Sequence, residues 1–449
     1  MSGASELLAL AEKIVEQAGH GEQVEAYVGR SSETEIRVYE GEIENFTAAQ
    51  TQGIGIRVIR DGRTGFAYAG TLEPSAIEQV LADARENAGF GSTDEWAGLA
   101  APDGVAPPTL TLWDEALETA TTERKIALAK ELERLALAAD GRVRVDESNY
   151  ADGMSEMAVA TSTGIRASGR ENGCYVSVST LADDGDETQT GFGFSVGRNL
   201  DELDLERAGR EGAERATRLL GAVKPQSARL TVVLDPFVTA SFLGIIGSTL
   251  NGESVAKGRS LFAHRLGEQV AAPHFTLVDD PTNPLAYSAS ILDGEGLAAR
   301  RNVLIENGVL QRFVQSTYSG RRNGVASTGN AVRGGFRGTP GCGCLAIQVV
   351  PGERTQAEIV ASIDHGVLVQ SVQGLHSGVN PVSGDFSTGA SGLMIRNGAL
   401  AEPVREFTIA STLQRMLLDL RELGNDLDYL PMRAVGITAV VDDVSLSGA

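Results

Sequence analysis

Cysteine is scarce in this 449-residue chain: Cys174, Cys342 and Cys344 are all it has, an odd number that excludes a disulfide framework and suits a reducing compartment. Histidine is nearly as scarce. The five positions, His20, His264, His274, His365 and His376, are few enough to test one by one for metal or acid–base chemistry. No stretch approaches the 18 consecutive apolar residues of a membrane span, and Met1–Ala11 lacks the basic start and apolar run of a signal peptide. The chain is therefore expected to be cytoplasmic and free of membrane contact. Basic residues are also in deficit, 38 Lys and Arg against 60 Asp and Glu for a net charge of −22, which excludes a general nucleic-acid binder.

What is present is core-forming. Apolar residues make up 42% and charged residues 22% of the sequence, enough to bury a core and too few charges for a disordered chain. The length predicts two or three domains. Divided at Lys224-Pro225, the first part carries 21 basic and 40 acidic residues and the second 17 and 20, so nearly all the acidity lies in the first part. A solvated, solubilising surface explains it most simply; a docking face for a basic partner is the alternative. The nearly neutral second part is the better candidate to meet another protein.

An amphipathic helix is expected over Ser5–Ala18, where Leu7, Leu8, Ala11, Ile14, Val15 and Ala18 recur at helical spacing. Five short strands follow, Val24–Val28, Glu35–Tyr39, Ile43–Ala48, Gly55–Ile59 and Thr64–Ala69, read as an antiparallel meander broken at Ser31-Ser32, Glu40-Gly41 and Asp61-Gly62. Pro74–Ala88 and Thr122–Ala139 read as helices, with the Ala-, Gly- and Pro-rich stretch 97–108 as a connector. Arg142–Tyr150, Ser155–Thr161 and Tyr175–Thr180 read as strands and Leu205–Leu220 as a helix, after which a boundary falls at Ala222–Ser227. This gives an acidic N-terminal α+β domain, 1–225, and a β-rich domain, 226–449. The second opens with the strand Arg229–Leu234, then Asp235-Pro236 as the cap and first residue of a helix running through Leu250 that is apolar nearly all round. Short strands and Gly-rich turns follow, with a helix over Leu413–Leu423 and a last strand, Gly436–Leu446, which favours a barrel-like or sandwich-like core with a few helices. No fixed-period repeat and no low-complexity tract occurs.

The sequence holds no complete catalytic pattern. No His is followed directly by Glu, so the zincin pattern is absent, and surface or core roles are expected for His264 and His274, with His365 in a turn and His376 between glycines. Cys342-Gly343-Cys344 has no second pair to complete a zinc site and reads as small buried apolar residues. Gly389-Ala390-Ser391-Gly392-Leu393 is not a nucleophile elbow, and Gly53-Ile54-Gly55 and Gly191-Phe192-Gly193 open no helix, which disfavours nucleotide chemistry. The basic, Gly-rich stretch 321–338, with Arg321, Arg322, Arg333 and Arg337, could hold phosphates or a peptide carboxylate, or be a mobile surface loop.

Two stretches are more specific than turn chemistry. Gly374-Leu375-His376-Ser377-Gly378-Val379-Asn380-Pro381-Val382-Ser383-Gly384-Asp385-Phe386-Ser387, continued by Gly389-Ala390-Ser391-Gly392-Leu393 and Asn397-Gly398, resembles the signature of the PmbA/TldE branch of the TldD/PmbA family. Arg301-Asn302-Val303-Leu304-Ile305-Glu306-Asn307-Gly308 with Ser327-Thr328-Gly329-Asn330 resembles the stretch that both branches share, and the likeness extends over the whole chain to Gly424-Asn425-Asp426. The resemblance implies a subunit of an intracellular TldD/TldE metallopeptidase, an assembly with an older label as modulator of DNA gyrase.

In that family the TldD branch holds zinc with an HExxxH motif and a distant Cys. Aligned through Gly258–Ala263, this chain has Leu243 and Ser248 at the two His positions, Gly244 at the Glu position, and no thiol around Arg433–Val435. The resemblance thus implies a subunit that binds no cofactor itself and pairs with a zinc-bearing, TldD-like HExxxH subunit in a heterodimer, or with itself when alone. Together they would form a cavity for unfolded peptides, with His376, Ser377, Asn380, Gly384, Asp385, Phe386 and Ser391 as cavity or contact residues. Two other readings stay open. One is an autonomous hydrolase built on His376, Asp385 and Ser391 or Ser377; the other is a gyrase-modulating binding protein without proteolysis.

Overall fold

The computed structural model describes residues 3–185 and 187–449. Its first half is one long antiparallel sheet in the order β3-β2-β1-β4-β5-β6, built from β1 (Glu22–Tyr39), β2 (Glu42–Arg60), β3 (Arg63–Ala69), β4 (Val143–Thr161), β5 (Arg166–Asp184) and β6 (Glu187–Gly197). The two hairpin turns expected from sequence are present. Glu40 and Gly41 have φ of 51° and 74°, Asp61 and Gly62 of 51° and 71°, the left-handed pairs that match the twist of flanking strands.

The expected meander of five short strands is corrected to three long ones. Ser31-Ser32 does not end a strand, because β1 pairs without a break from Glu22 to Arg37 with β2 and from Glu25 to Val38 with β4. The polar middle is held from both sides by backbone hydrogen bonds, with Ser31 and Thr51 hydroxyls 2.7 Å apart across the pair. Likewise Arg142–Tyr150 and Ser155–Thr161 fuse into β4, and Tyr175–Thr180 is the centre of β5.

Helices cover one face of this sheet. Gly3–Val15 and Pro74–Phe90 bury Leu7, Ile14, Ile77 and Leu81 against Val24, Val28, Ile54 and Ile56. Thr122–Ala139 and Leu205–Thr217 bury Ala129, Leu132, Ala136 and Ala208 against Ile36, Val38, Tyr150, Val176 and Val178. The helix over Thr122–Ala139 is capped by Thr121, whose Oγ1 accepts the Arg124 N–H at 3.3 Å.

The second half opens with β7 (Ala228–Leu234), which lies between strands His365–Gln373, parallel to it, and Ala439–Ser447, antiparallel to it. The sheet continues outward through Asp385–Arg396 and Ala399–Thr412, and the last of these pairs back onto Ser445–Ser447, so five strands close into a barrel. The helix Pro236–Thr249 packs against the barrel core through Phe242, Leu243 and Ile246. The expected helix Leu413–Leu423 is corrected: it stops at Leu418, and Leu420–Leu423 pairs as a strand with Ala439–Val441. Leu413, Met416, Leu417, Leu420 and Leu423 are all buried, so the apolar spacing was real while the last part serves an edge of the sheet instead of a third turn. His365 opens a strand, not a turn.

Candidate functional site

The helix Pro236–Thr249 starts on Asp235, whose carboxylate accepts the Phe237 N–H at 3.2 Å and an Arg215 N–H at 3.0 Å. Leu243 is 1% exposed inside the core. Gly244 and Ser248 lie on the outer face, where a methyl added to Gly244 would meet nothing within 4 Å, and the Ser248 hydroxyl is turned back onto the Ile245 carbonyl at 2.6 Å. None of these three positions offers a metal an unpaired donor. Near Arg433–Val435, Ala434 and Val435 are buried and their segment pairs with Ile347, so it brings no thiol either. Cys344 lies on the inner side of the same helix, its Sγ 3.7 Å from the Gly247 carbonyl, and burial pushes its thiol well above the ordinary range. All three cysteines are free, and among the described residues no group of three or more His, Cys, Asp or Glu is arranged to hold a metal ion. The residues at the zinc-motif positions do not fit zinc.

The signature segment forms a short helix, Leu375–Gly378, a turn, and the strand Asp385–Arg396. His376, Ser377, Asn380 and Asp385 are exposed; Gly384, at φ +87°, and Phe386, at 3% exposure, are buried. Asn380 caps the turn by accepting N–H groups of Val382 at 2.9 Å and Ser383 at 3.2 Å, and Asp385 accepts the Ser383 hydroxyl at 2.6 Å. Ser377 donates to the Gly374 carbonyl at 3.2 Å, while Ser391 shares a 2.7 Å hydrogen bond with Ser371. The hydrogen bonds of both serines thus go elsewhere than His376, and no Ser–His–Asp relay joins these groups. Two of the glycines serve close backbone approach within the chain: a methyl on Gly378 would sit 1.9 Å from the Ser387 carbonyl oxygen, and one on Gly392 1.9 Å from that of Leu368.

The shared stretch is a buried polar frame. Asn330 donates to Asp279 at 2.5 Å and accepts from Asn302 at 3.0 Å and Thr328 at 2.7 Å, while Asp279 also accepts the N–H groups of Leu345 and Ala346. Asn307 and Gly308, with φ of 49° and 79°, make the turn that joins Asn302–Glu306 to Val309–Leu310.

Three of the four arginines in the basic stretch 321–338 are held by the fold, while Arg337 is exposed over the Phe336 ring at 5.4 Å. Arg321 donates to the Leu99 carbonyl at 2.8 Å, Arg322 stacks on Tyr318, and Arg333, its side chain 1% exposed, pairs with Glu25 of β1. Arg57 pairs with the same Glu25 at 2.7 Å. The segment ties the second half of the chain to the first sheet. It also borders a cavity of about 440 Å³ lined by Tyr27, Glu171, Tyr287, Asp293, Arg333 and Arg433. There Asp293 accepts three backbone N–H groups and burial, helped by the Glu295 charge, pushes its carboxyl up to about 7.

A smaller cavity of about 230 Å³ lies at the seam between β6, the helix Leu205–Thr217 and the barrel. Ser391 and Ser371 line it with Gln370, Arg215, Phe192 and Glu406. Of these only Ser391 stands out in the sequence. Gln370 is one polar residue in an otherwise apolar strand, and Arg215 one of many charges on an amphipathic helix, so neither carries a signal of its own.

Comparison with known proteins shows the family. Profiles described as PmbA/TldA metallopeptidase domain 1, central domain and C-terminal domain match residues 24–88, 115–220 and 227–448, and the chain belongs to the PmbA/TldD metallopeptidase family. It is 28% identical over 440 residues to a metalloprotease PmbA homolog of Haemophilus influenzae, covering 95% of this chain and 93% of that one. A metalloprotease TldD homolog of the same organism is 27% identical over 372 residues, covering 80% and 76%. The structure of TldE from Thermococcus kodakarensis superimposes with a TM-score of 0.90 at 25% identity, covering 99% of this chain and all of that one. Among the described residues no helix is long and apolar enough to cross a membrane.

Proposed function

We propose that this chain is the non-catalytic, TldE/PmbA-type subunit of a cytoplasmic zinc peptidase that acts on unfolded peptides, the zinc and its HExxxH motif residing in a TldD-like partner. The observation that carries this reading is the helix Pro236–Thr249, where Leu243 is a core residue, Gly244 has no side chain and Ser248 is bonded to its own backbone. Filling a ligand position with leucine suits a retained fold without its metal, because an unpaired buried imidazole or carboxylate costs stability. The chain's part is then to complete a cavity that admits extended polypeptide and excludes folded domains. The outer face at Gly244 and Ser248, together with exposed His376, Ser377, Asn380 and Asp385, forms the contact with the partner or the wall of that cavity.

The test is cleavage of an unstructured peptide in added zinc by this chain alone, by the HExxxH subunit alone and by the mixture. Cleavage by the mixture only supports the reading. Chelator-resistant cleavage by this chain alone would overturn it and return attention to His376 and Asp385.

A further inference from the structure

The seam cavity holds two polar groups that the fold leaves unmatched. Gln370 is 4% exposed and its Oε1 meets no donor. Arg215 pairs with Asp235 and stacks on the Phe192 ring at 4.7 Å, yet its Nη1 is buried without an acceptor. A buried polar group without a partner destabilises the fold, so two in one small cavity are a penalty that packing alone does not explain.

The backbone is irregular at the same place. Val369 pairs with Gly392 and Ser371 with Ser391, which leaves Gln370 as the additional residue of a bulge. On the other side Ala390 pairs with Phe407 and Gly392 with Val404, so Arg405 and Glu406 together oppose Ser391. Glu406 takes φ of 54°, a left-handed conformation that strains a non-glycine residue. Bulges re-aim side chains, and strained residues gather at sites that use them. Here two bulges aim Gln370 and the Ser371–Ser391 pair at one space.

The chemistry of that space selects its ligand. Arg215 is balanced by Asp235, and Arg405 by Glu187 at 3.3 Å and Glu406 at 3.9 Å, so an anion finds no free positive charge. A ligand must instead donate to Gln370 Oε1 and accept from Arg215 Nη1. A peptide amide does both, whereas a carboxylate can only accept. Phe192, Leu219, Ala390 and Phe407 supply apolar wall for small side chains.

We propose that the seam cavity binds an uncharged main-chain segment of an extended polypeptide, Gln370 accepting an amide N–H and Arg215 donating to a carbonyl oxygen. The proposal rests on the subunit reading only for the polypeptide nature of the ligand. It makes this chain a holder of substrate and not merely a wall.

The experiment titrates an acetylated, amidated Gly/Ala/Ser tetrapeptide into the full chain alone, by calorimetry, with thermal unfolding followed in parallel. Binding to the unaltered chain is expected, weakened at least tenfold by Gln370→Met and several-fold by Arg215→Lys, which keeps the charge opposite Asp235. Gln370→Met is further expected to raise the melting temperature, since it removes an unmatched buried carboxamide. No binding by the unaltered chain, or equal binding by Gln370→Met, overturns the proposal, as does a lowered melting temperature with unchanged affinity, which makes Gln370 a structural anchor. Because the titration uses this chain alone, failure of the mixed peptidase assay leaves its result standing, and the two ideas fail separately.

Discussion

Phe242 of the helix Pro236–Thr249 meets Phe386 of the signature strand edge-on, ring centroids 6.4 Å apart at 84°. The apolar helix that opens the second half is thus packed directly on the strand Asp385–Arg396. Both rings are 3% exposed. Phe386→Ala is expected to cost about 3–5 kcal/mol, the range for deleting a buried phenyl ring, read as a lowered urea midpoint with an unchanged slope. A loss below about 1 kcal/mol would show that the site collapses around the cavity and that Phe386 is not an anchor of the helix.

Glu25 is the counter-ion of two arginines, Arg57 directly opposite it on β2 and Arg333 from the second half of the chain. Burial works against its charge, but Arg333 and Arg57 together hold the carboxyl below the ordinary range. Glu25→Gln leaves Arg333 buried without a counter-charge and Arg57 with only Glu295 at 3.9 Å, a change expected to cost about 3–5 kcal/mol. The segment 321–338 should loosen first, so trypsin should cut after Arg333 or Arg337 faster than elsewhere. Uniform cleavage along the chain would mean that the ion pair does not hold this segment.

The helices and hairpin turns were legible because their signals are local. Thr121 caps its helix, and Glu40-Gly41 and Asp61-Gly62 turn the chain, all through residue chemistry acting within a few positions. Strand length was not legible. Ser31-Ser32 looks like a break, yet partners from β2 and β4 supply hydrogen bonds that the sequence around it does not reveal. The same distinction governs the sites. Leu243, Gly244 and Ser248 are read one position at a time, whereas Gln370 and Arg215 come together only because a bulge and a helix from different halves of the chain bring them to one cavity.

Asp279 offers a pH test of the buried frame. Burial pushes its carboxyl up to about 6 despite hydrogen bonds from Asn330, Ala346 and Leu345. The folded state therefore binds a proton that the unfolded state, with an ordinary Asp near 3.8, has already released. This contribution lowers stability as pH rises from about 4 to 6, by up to about 3 kcal/mol, and is constant above that. Asp279→Asn cannot titrate, so the stability difference between the unaltered chain and the variant should change in that window, to the disadvantage of the unaltered chain as pH rises. Denaturation curves at several pH values check it; a difference that stays flat from pH 4 to 7 would falsify the assignment.

The outer face of the ligand-free helix decides between a free surface and a subunit contact. Gly244 sits mid-helix with open space beyond its α-carbon, so Gly244→Ala should stabilise the isolated chain by about 0.5–1 kcal/mol through helix propensity alone. Gly244→Arg adds a long charged side chain that solvent accommodates, and its effect on the isolated chain should stay within about 0.5 kcal/mol of neutral. In the mixture with an HExxxH subunit the two variants should part. Arginine at a packed contact clashes and buries an unpaired charge, so gel filtration should show the complex lost and peptide cleavage with it, while Gly244→Ala retains both. If Gly244→Arg assembles and cleaves like the unaltered chain, this face is not where the subunits meet, and the exposed group His376, Ser377, Asn380 and Asp385 becomes the surface to alter next.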